Sequence, residues 1–302
     1  MRALIDADIL VYEVGSAGQY VDEQTGEPVM RDFDDVTAHF QEKVKQIEAE
    51  VWATEPSVLY LGAGETLLKA MNRQNKREGA PEVEFIRNFR YDLAKDRPYK
   101  GNRKAPKPLH YDNLRQWIIA NYPCKVAIGY EADDLLCADL YETHKNKRLD
   151  AIACSRDKDL KMVPGMHFGW ECGRQPQFGP KRVTELGTIS LSKNRKKVSG
   201  EGLLFFYAQM LIGDGVDNIV GCKGCGPVAA YEALVGKDVK EALQTVVVKY
   251  KETYGEDWWS KFMENANLLW ICREFNEDGT PVKFQMPDDW EQVGGETVGE
   301  AV

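Results

Sequence analysis

Three short apolar runs, "ALIDADILVY" at residues 3–12, "SVLYLGAG" at 57–64 and "DAIACS" at 150–155, alternate with segments of helical periodicity, and this alternation constrains the fold most. Each run reads as a buried strand. Between the first two, residues 34–52 set Val36, Phe40, Val44, Ile47 and Val51 on one stripe, the pattern of an amphipathic helix. A second helix is predicted over 131–142. Strands that alternate with helices pair in parallel, because the crossover helices cover both faces of the sheet. The sequence therefore predicts an α/β domain with a mostly parallel sheet over residues 1–200. Helical patterns dominate from residue 201, so a sheet-free lobe is expected over 201–302, closing in the acidic tail "DDWEQVGGETVGEAV".

Acidic residues gather at the ends of the predicted strands. Asp6 and Asp8 lie within or at the end of the first, and Asp157 and Asp159 follow the last in "CSRDKDL". The stretch "GYEADDLLCADL" crowds Glu131, Asp133 and Asp134 into four positions, and "GDGVDN" adds Asp214 and Asp217, three apart. Neighbouring carboxylates repel one another and raise one another's pKa values unless a cation intervenes. Acids in a first helical turn are also favoured by the helix dipole, by about 0.3–1 kcal/mol each, so the cluster alone fits a solvated helix start as well as a metal site. The sheet decides between the two. Residues beyond the carboxyl ends of parallel strands converge on one crevice. Together these acids exceed what one Mg²⁺ uses, which suits two hard cations held by oxygen ligands and water.

Composition bounds the partners. The 302 residues carry a formal net charge of −9, which argues against a generic polyanion binder. The distribution of charge points the other way. Residues 87–107, "RNFRYDLAKDRPYKGNRKAPK", hold eight basic residues against Asp92 and Asp96, interleaved with Phe89, Tyr91 and Tyr99. Arg90, Tyr99 and Lys104 are its candidate nucleic-acid contacts, against the alternative of a solvated surface loop. A second basic run, "KNRKK", spans 193–197 and reads as a surface loop. Seven cysteines scattered through apolar segments suit reduced thiols in a cytoplasm, and only Cys222 and Cys225 have ligand-like spacing, too little for structural zinc. No window has the ~20 uncharged residues of a membrane span.

In "GDGVDNIVGCKGCGPVAAYEAL", Gly221, Gly224 and Gly226 lead into Pro227, a favoured first helical residue. Such a turn presents backbone N–H groups that can cradle a phosphate. The blocks "IDADILVY", "NFRYDL…RPYKGNRK", "YEADDLLC", "CSRDKDL" and "GDGVDNIVGCKGCGP" occur in the order found in the flap endonuclease and 5′→3′ exonuclease superfamily. Over residues 1–235 the chain resembles that superfamily, and the bacteriophage 5′→3′ exonucleases most. The resemblance implies a PIN-like nuclease domain, a helix-three-turn-helix DNA-binding region, two Mg²⁺ or Mn²⁺ ions, and a monovalent cation such as K⁺ in the Gly-rich turn. It implies Asp6, Glu131 and Asp133 as ligands of one ion, and Asp157, Asp159 and Asp214 as ligands of the other, with Asp133 near both. Asp134 and Asp217 match acids that act through water or orient ligands. Lys100 and Arg103 match the residues at the gateway for a 5′ end, where they would neutralise charge on the scissile phosphate. The implied substrate is duplex DNA with a 5′ end, nick or flap, or an RNA·DNA hybrid, and the implied place is the cytoplasm, that of the host for a phage protein. At one place the chain departs from the pattern: where many members carry an Asp after the second strand, it has Ala63 and Gly64, leaving Glu65 or water to fill that position. Two rival readings are a phosphatase using the "DxD" of the first strand and a noncatalytic DNA-junction binder with a degenerate site.

Overall fold

The computed structural model describes residues 1–103, 105–288 and 290. The chain divides into two compact units. The first comprises Met1–Asp92, Lys104–Val183 and Ile271–Val282; the second comprises Leu93–Arg103, Thr184–Trp270 and the described residues from Lys283.

The first unit runs β1 (Arg2–Asp6), α1 (Ala7–Ala17), β2 (Gln19–Val21), β3 (Pro28–Met30), α2 (Phe33–Glu50), β4 (Val58–Gly62), α3 (Glu65–Glu78), α4 (Arg90–Leu93), α5 (Tyr111–Asn121), β5 (Cys124–Ala127), α6 (Ala132–Lys145), β6 (Ala151–Cys154), β7 (Gly165–Gly169) and β8 (Phe178–Val183). Six of these strands form one sheet in the order β5-β4-β1-β6-β7-β8, parallel except for β8. The period of two along each strand builds a core on both faces. Ala3, Ile5, Leu59, Leu61, Ile152 and Cys154 point one way and pack with α1, α2 and α5. Leu4, Tyr60, Ala151 and Ala153 point the other way and pack on Leu136, Cys137 and Leu140 of α6. The mostly parallel α/β architecture expected from the sequence is thus present.

The first apolar run is not one strand. It breaks at Asp6, whose carboxylate accepts from Ile9 N at 3.2 Å and caps α1. From β1 the chain steps to β4 and β5 on one side, then returns to β6 on the other. The connection reverses direction between β1 and β6, the switch point where ligands bind in open α/β sheets.

The second unit contains β9 (Thr188–Leu191), β10 (Val198–Glu201), α7 (Gly202–Ile212), β11 (Gly213–Asp214), β12 (Ile219–Val220), α8 (Pro227–Leu234), α9 (Val239–Tyr254) and α10 (Trp258–Leu269). Helix α7 is buried nearly all round, as its apolar sequence requires, and packs on α8, α9 and α10. The lobe is not sheet-free: β9 pairs antiparallel with β10, and β11 with β12. Nor does the division fall at residue 200, because the β9–β10 hairpin packs on α7 and α8 and so joins the helices. The "KNRKK" run is the tip of that hairpin, with Arg195 paired to Glu232 of α8 at 3.2 Å. Most of the expected acidic tail lies outside the described residues. Among the described residues no helix is long and apolar enough to cross a membrane.

Candidate metal centre and basic loop

Asp6 stands at the carboxyl end of β1, one step beyond the Ile5–Cys154 pairing with β6. It is 2% exposed. Its Oδ2 accepts from Ser155 Oγ at 2.7 Å, and the same Oγ accepts from Asp157 N at 2.9 Å, so one hydroxyl ties the ends of β1 and β6 together. Asp157 Oδ1 in turn accepts from Asp159 N at 2.8 Å and opens the 3₁₀ turn Asp159–Met162. Burial, with further repulsion from Asp8 and Asp157, pushes the Asp6 carboxyl up to about 7. Ser155 and the Ile9 amide pull the other way and do not offset it. Asp6 thus carries a charge that its protein donors do not fully compensate. A cavity of about 230 Å³ beside Asp157 has Arg156, Lys158 and Lys161 on its walls.

The crowded acids at the start of α6 have separate fates. Glu131 is the N-cap residue, and Asp133 is half-buried on the first turn. Asp134 is fully buried. It takes Arg90 Nη1 at 2.7 Å and Nη2 at 2.8 Å, Cys272 N at 2.8 Å and Glu131 N at 3.0 Å. Its lone pairs are filled by protein donors, so the geometry suits the orienting role implied for it and not that of a metal ligand. Arg90, 1% exposed, is correspondingly removed from surface contact with nucleic acid. The Cys137 thiol, buried on α6, is pushed up first by burial and then by Asp133 and Asp134, with Arg273 pulling the other way.

Asp8 and the end of β4 differ from the sequence expectation. Asp8 Oδ2 accepts from Gly62 N at 2.7 Å, and its Oδ1 lies 3.5 Å from Arg115 Nε. Arg115, which also donates to Gly62 O, occupies the strand end where the superfamily pattern has an acid. Glu65 does not reach in: its side chain is 79% exposed and pairs weakly with Lys69 at 4.0 Å. Arg115 sits on the apolar stripe Tyr111, Leu114, Ile118 of α5, and a charge at that register was the signal for a buried cation.

In the second unit, Asp214 is buried at the end of β11, and its Oδ1 accepts from Val216 N at 2.7 Å. Asp217 is met by Arg103 Nη2 at 2.9 Å and by the Tyr99 hydroxyl at 3.2 Å. Tyr99 is 4% exposed, so its ring is no stacking platform for a base. Lys100 Nζ lies 5.0 Å from the centre of that ring. Lys104 lies outside the described residues. Gly221 passes so close to β11 that a Cβ would meet Gly213 N at 2.4 Å. Gly224 belongs to the turn that follows, and Gly226 is the N-cap residue of α8, with Pro227 in the first turn. Cys222 and Cys225 are free thiols in this turn, both pushed up by burial. Among the described residues no three His, Cys, Asp or Glu side chains close into a ready-made metal-binding group.

Two outcomes follow from these environments. Asp134→Asn leaves buried Arg90 with the longer 3.8 Å pairing to Glu131 in place of its bidentate partner, and is expected to lower the unfolding free energy by about 3 kcal/mol in urea titrations with or without chelator. For Asp6 the folded pKa lies above the unfolded one, so its contribution to stability is full below pH ~4 and is lost as pH rises towards ~7. In chelator, Asp6→Asn should therefore raise Tm relative to the parent at pH 8, and the gap should vanish below pH ~4. A Tm difference independent of pH would contradict the assigned cause.

No family model matches the chain. A DNA polymerase I of Rhizobium leguminosarum is 29% identical over 154 residues, which cover 49% of this chain and 14% of that protein, so the chain spans only a small part of its relative. A crystal structure of the T5 D15 protein co-crystallised with metal ions aligns with a TM-score of 0.50 at 13% identity, covering 89% of this chain and 88% of that one. The bacteriophage T5 D15 flap endonuclease in a pseudo-enzyme-product complex with DNA and metal ions aligns at 11% identity with a TM-score of 0.41, covering 87% and 88%. The parallel central sheet and the first of these two likenesses agree: the chain has the fold of the T5 D15 protein.

Proposed function

We propose that the chain is a divalent-ion-dependent 5′→3′ exonuclease, with flap cutting as a second activity, that hydrolyses phosphodiester bonds in duplex DNA or RNA·DNA during phage replication or recombination. The observation that carries this reading is Asp6, a carboxylate at the switch point of the sheet whose ionisation is opposed by burial, Asp8 and Asp157. Its surroundings offer oxygen donors, the set preferred by Mg²⁺ and Mn²⁺. Sites for Mg²⁺ commonly use one or two carboxylates and complete the shell with water and substrate phosphate, so a closed protein cage is not required. The metal ions of the T5 D15 crystals support the use of metal, and the name of the polymerase relative supports DNA as the strand.

Asp6, Glu131 and Asp133 would hold one ion, and Asp157 and Asp159 would serve the other. When bound, such ions lower the pKa of the attacking water and offset charge on the leaving oxygen. The chain's own residues do the rest. Ser155 fixes the Asp6 carboxylate, and Asp134 fixes the backbone of Glu131. Lys100 and Arg103 would offset charge growing on the nonbridging oxygens. The turn through Gly221, Gly224 and Gly226 would bring the α8 amides to a backbone phosphate, with K⁺ completing that contact. The duplex is then gripped by elements separate from those that cut it.

Digestion of a 5′-labelled duplex tests this directly. Mono- or short oligonucleotides are expected with Mg²⁺ and none with chelator, and Asp157→Asn should abolish cleavage while leaving duplex affinity within a few fold. Binding should weaken as salt rises, through counterion release. Shortening from the 3′ end, or cleavage in chelator, would refute the proposal; tight duplex binding without cleavage would favour the noncatalytic junction binder.

A further inference from the structure

The stretch "YKGNR", residues 99–103, is held throughout by the turn that follows Asp214, and both lie in the second unit. Tyr99 is buried with its hydroxyl on Asp217 Oδ2, and Arg103 Nη2 donates to Asp217 Oδ1. Lys100 N donates to Asp217 O at 3.0 Å, and its φ of 57° places it in the left-handed region. Gly101 lies against the backbone, where a Cβ would come within 2.9 Å of Pro98 O. Asn102 Nδ2 reaches Gly215 O at 3.0 Å and Asn218 Oδ1 at 3.2 Å, while Asn218 Nδ2 donates to Pro98 O at 3.0 Å. The turn is itself wound around Asp214, whose Oδ1 accepts from Val216 N and, at 3.4 Å, from Asp217 N.

We propose that Asp217 is a positioning residue: with Asn218 it latches the basic loop onto the turn built on Asp214 and so fixes where Lys100 stands relative to that carboxylate. The proposal rests on the hydrolytic reading above, and it gives Asp217 a role on the basic loop in place of the water-mediated or ligand-orienting role that the resemblance implies. Each of its carboxylate oxygens already answers a donor of the loop, and its carbonyl answers a third. A non-glycine residue in the left-handed region persists only where its surroundings over-determine it, and Lys100 owes that to Asp217 and Gly101. A half-exposed ion pair alone would add little. Clips from Asp217, Gly215 and Asn218 to the same short loop give rigidity that one pair does not. Preorganisation of this kind matters for a group that must meet a phosphate, because a displacement of about 1 Å can cost about 10²-fold in rate.

The test uses the full chain and two substitutions. Asp217→Asn removes the charge that holds Arg103, and Asn102→Ala removes a separate clip without touching a carboxylate. Trypsin cleavage at Lys100 and Arg103, followed in chelator, reports the loop without any metal or activity. Single-turnover cleavage of a labelled duplex across Mg²⁺ concentrations reports the chemistry. Both substitutions should speed loop cleavage by about tenfold or more. Both should lower the single-turnover rate at saturating Mg²⁺ by about 10–100-fold, with half-saturation by Mg²⁺ within about twofold of the parent. A loop as resistant as the parent's together with a Mg²⁺ requirement raised about tenfold in Asp217→Asn would overturn the proposal and assign Asp217 to a metal ion instead. Parent-like behaviour of both variants in both readouts would overturn it as well. If the parent itself failed to cleave, the hydrolytic reading would fall alone, and the trypsin result would still decide the latch.

Discussion

The buried pair of Arg90 and Asp134 is the interaction on which the arrangement of the first unit depends. A fully desolvated carboxylate is tolerable only with its charge answered and its lone pairs filled, and Asp134 satisfies both conditions with the guanidinium and two backbone amides. Those donors come from three places in the sequence: the segment entering α4, the start of α6, and the return of the chain at Cys272. One acid of the crowded cluster therefore serves as a fastener. Its neighbours Glu131 and Asp133 stand at a helix start whose position that fastener fixes.

The same separation of roles runs through the other acids. Asp6 and Asp157 lie where parallel strands β1 and β6 end side by side, and Ser155 bridges them. Asp8 is met by Arg115, and Asp217 by Arg103. An acid that faces a guanidinium holds the structure together, whereas an acid that faces other acids at a switch point is, in the proposed function, one that a cation would neutralise.

Much of this was legible in the sequence, for physical reasons. Residues 34–52 predicted the long amphipathic helix because one stripe of it is buried, and α2 spans Phe33–Glu50. The runs at 57–64 and 150–155 announced β4 and β6 because both faces of those strands are covered. The first run misled because a strand buried on both faces continues into a helix that also faces the core, so hydrophobicity shows no break; only Asp6, placed to cap Ile9, marks the change. Strands β5 ("CKVA"), β7 ("GMHFG") and β8 ("FGPKRV") are interrupted by Lys125, His167, Lys181 and Arg182, so no unbroken apolar run declares them as it does β4 and β6. Charge patterns located the basic segment but could not tell which of its residues turn inward. Arg90 and Tyr99 are buried by partners 44 and 118 positions away, and that pairing is a property of the fold.

The central claim is that the carboxylates gathered at the ends of β1 and β6, and not the whole acidic cluster, are what binds divalent ions. Anomalous diffraction from crystals of the protein soaked in Mn²⁺ tests it most directly. The account predicts manganese within bonding distance of Asp6 or Asp157 oxygens, and Asp134 still paired with Arg90. Manganese bound to Asp134 with Arg90 displaced, or none at Asp6 and Asp157 at saturating Mn²⁺, would contradict it.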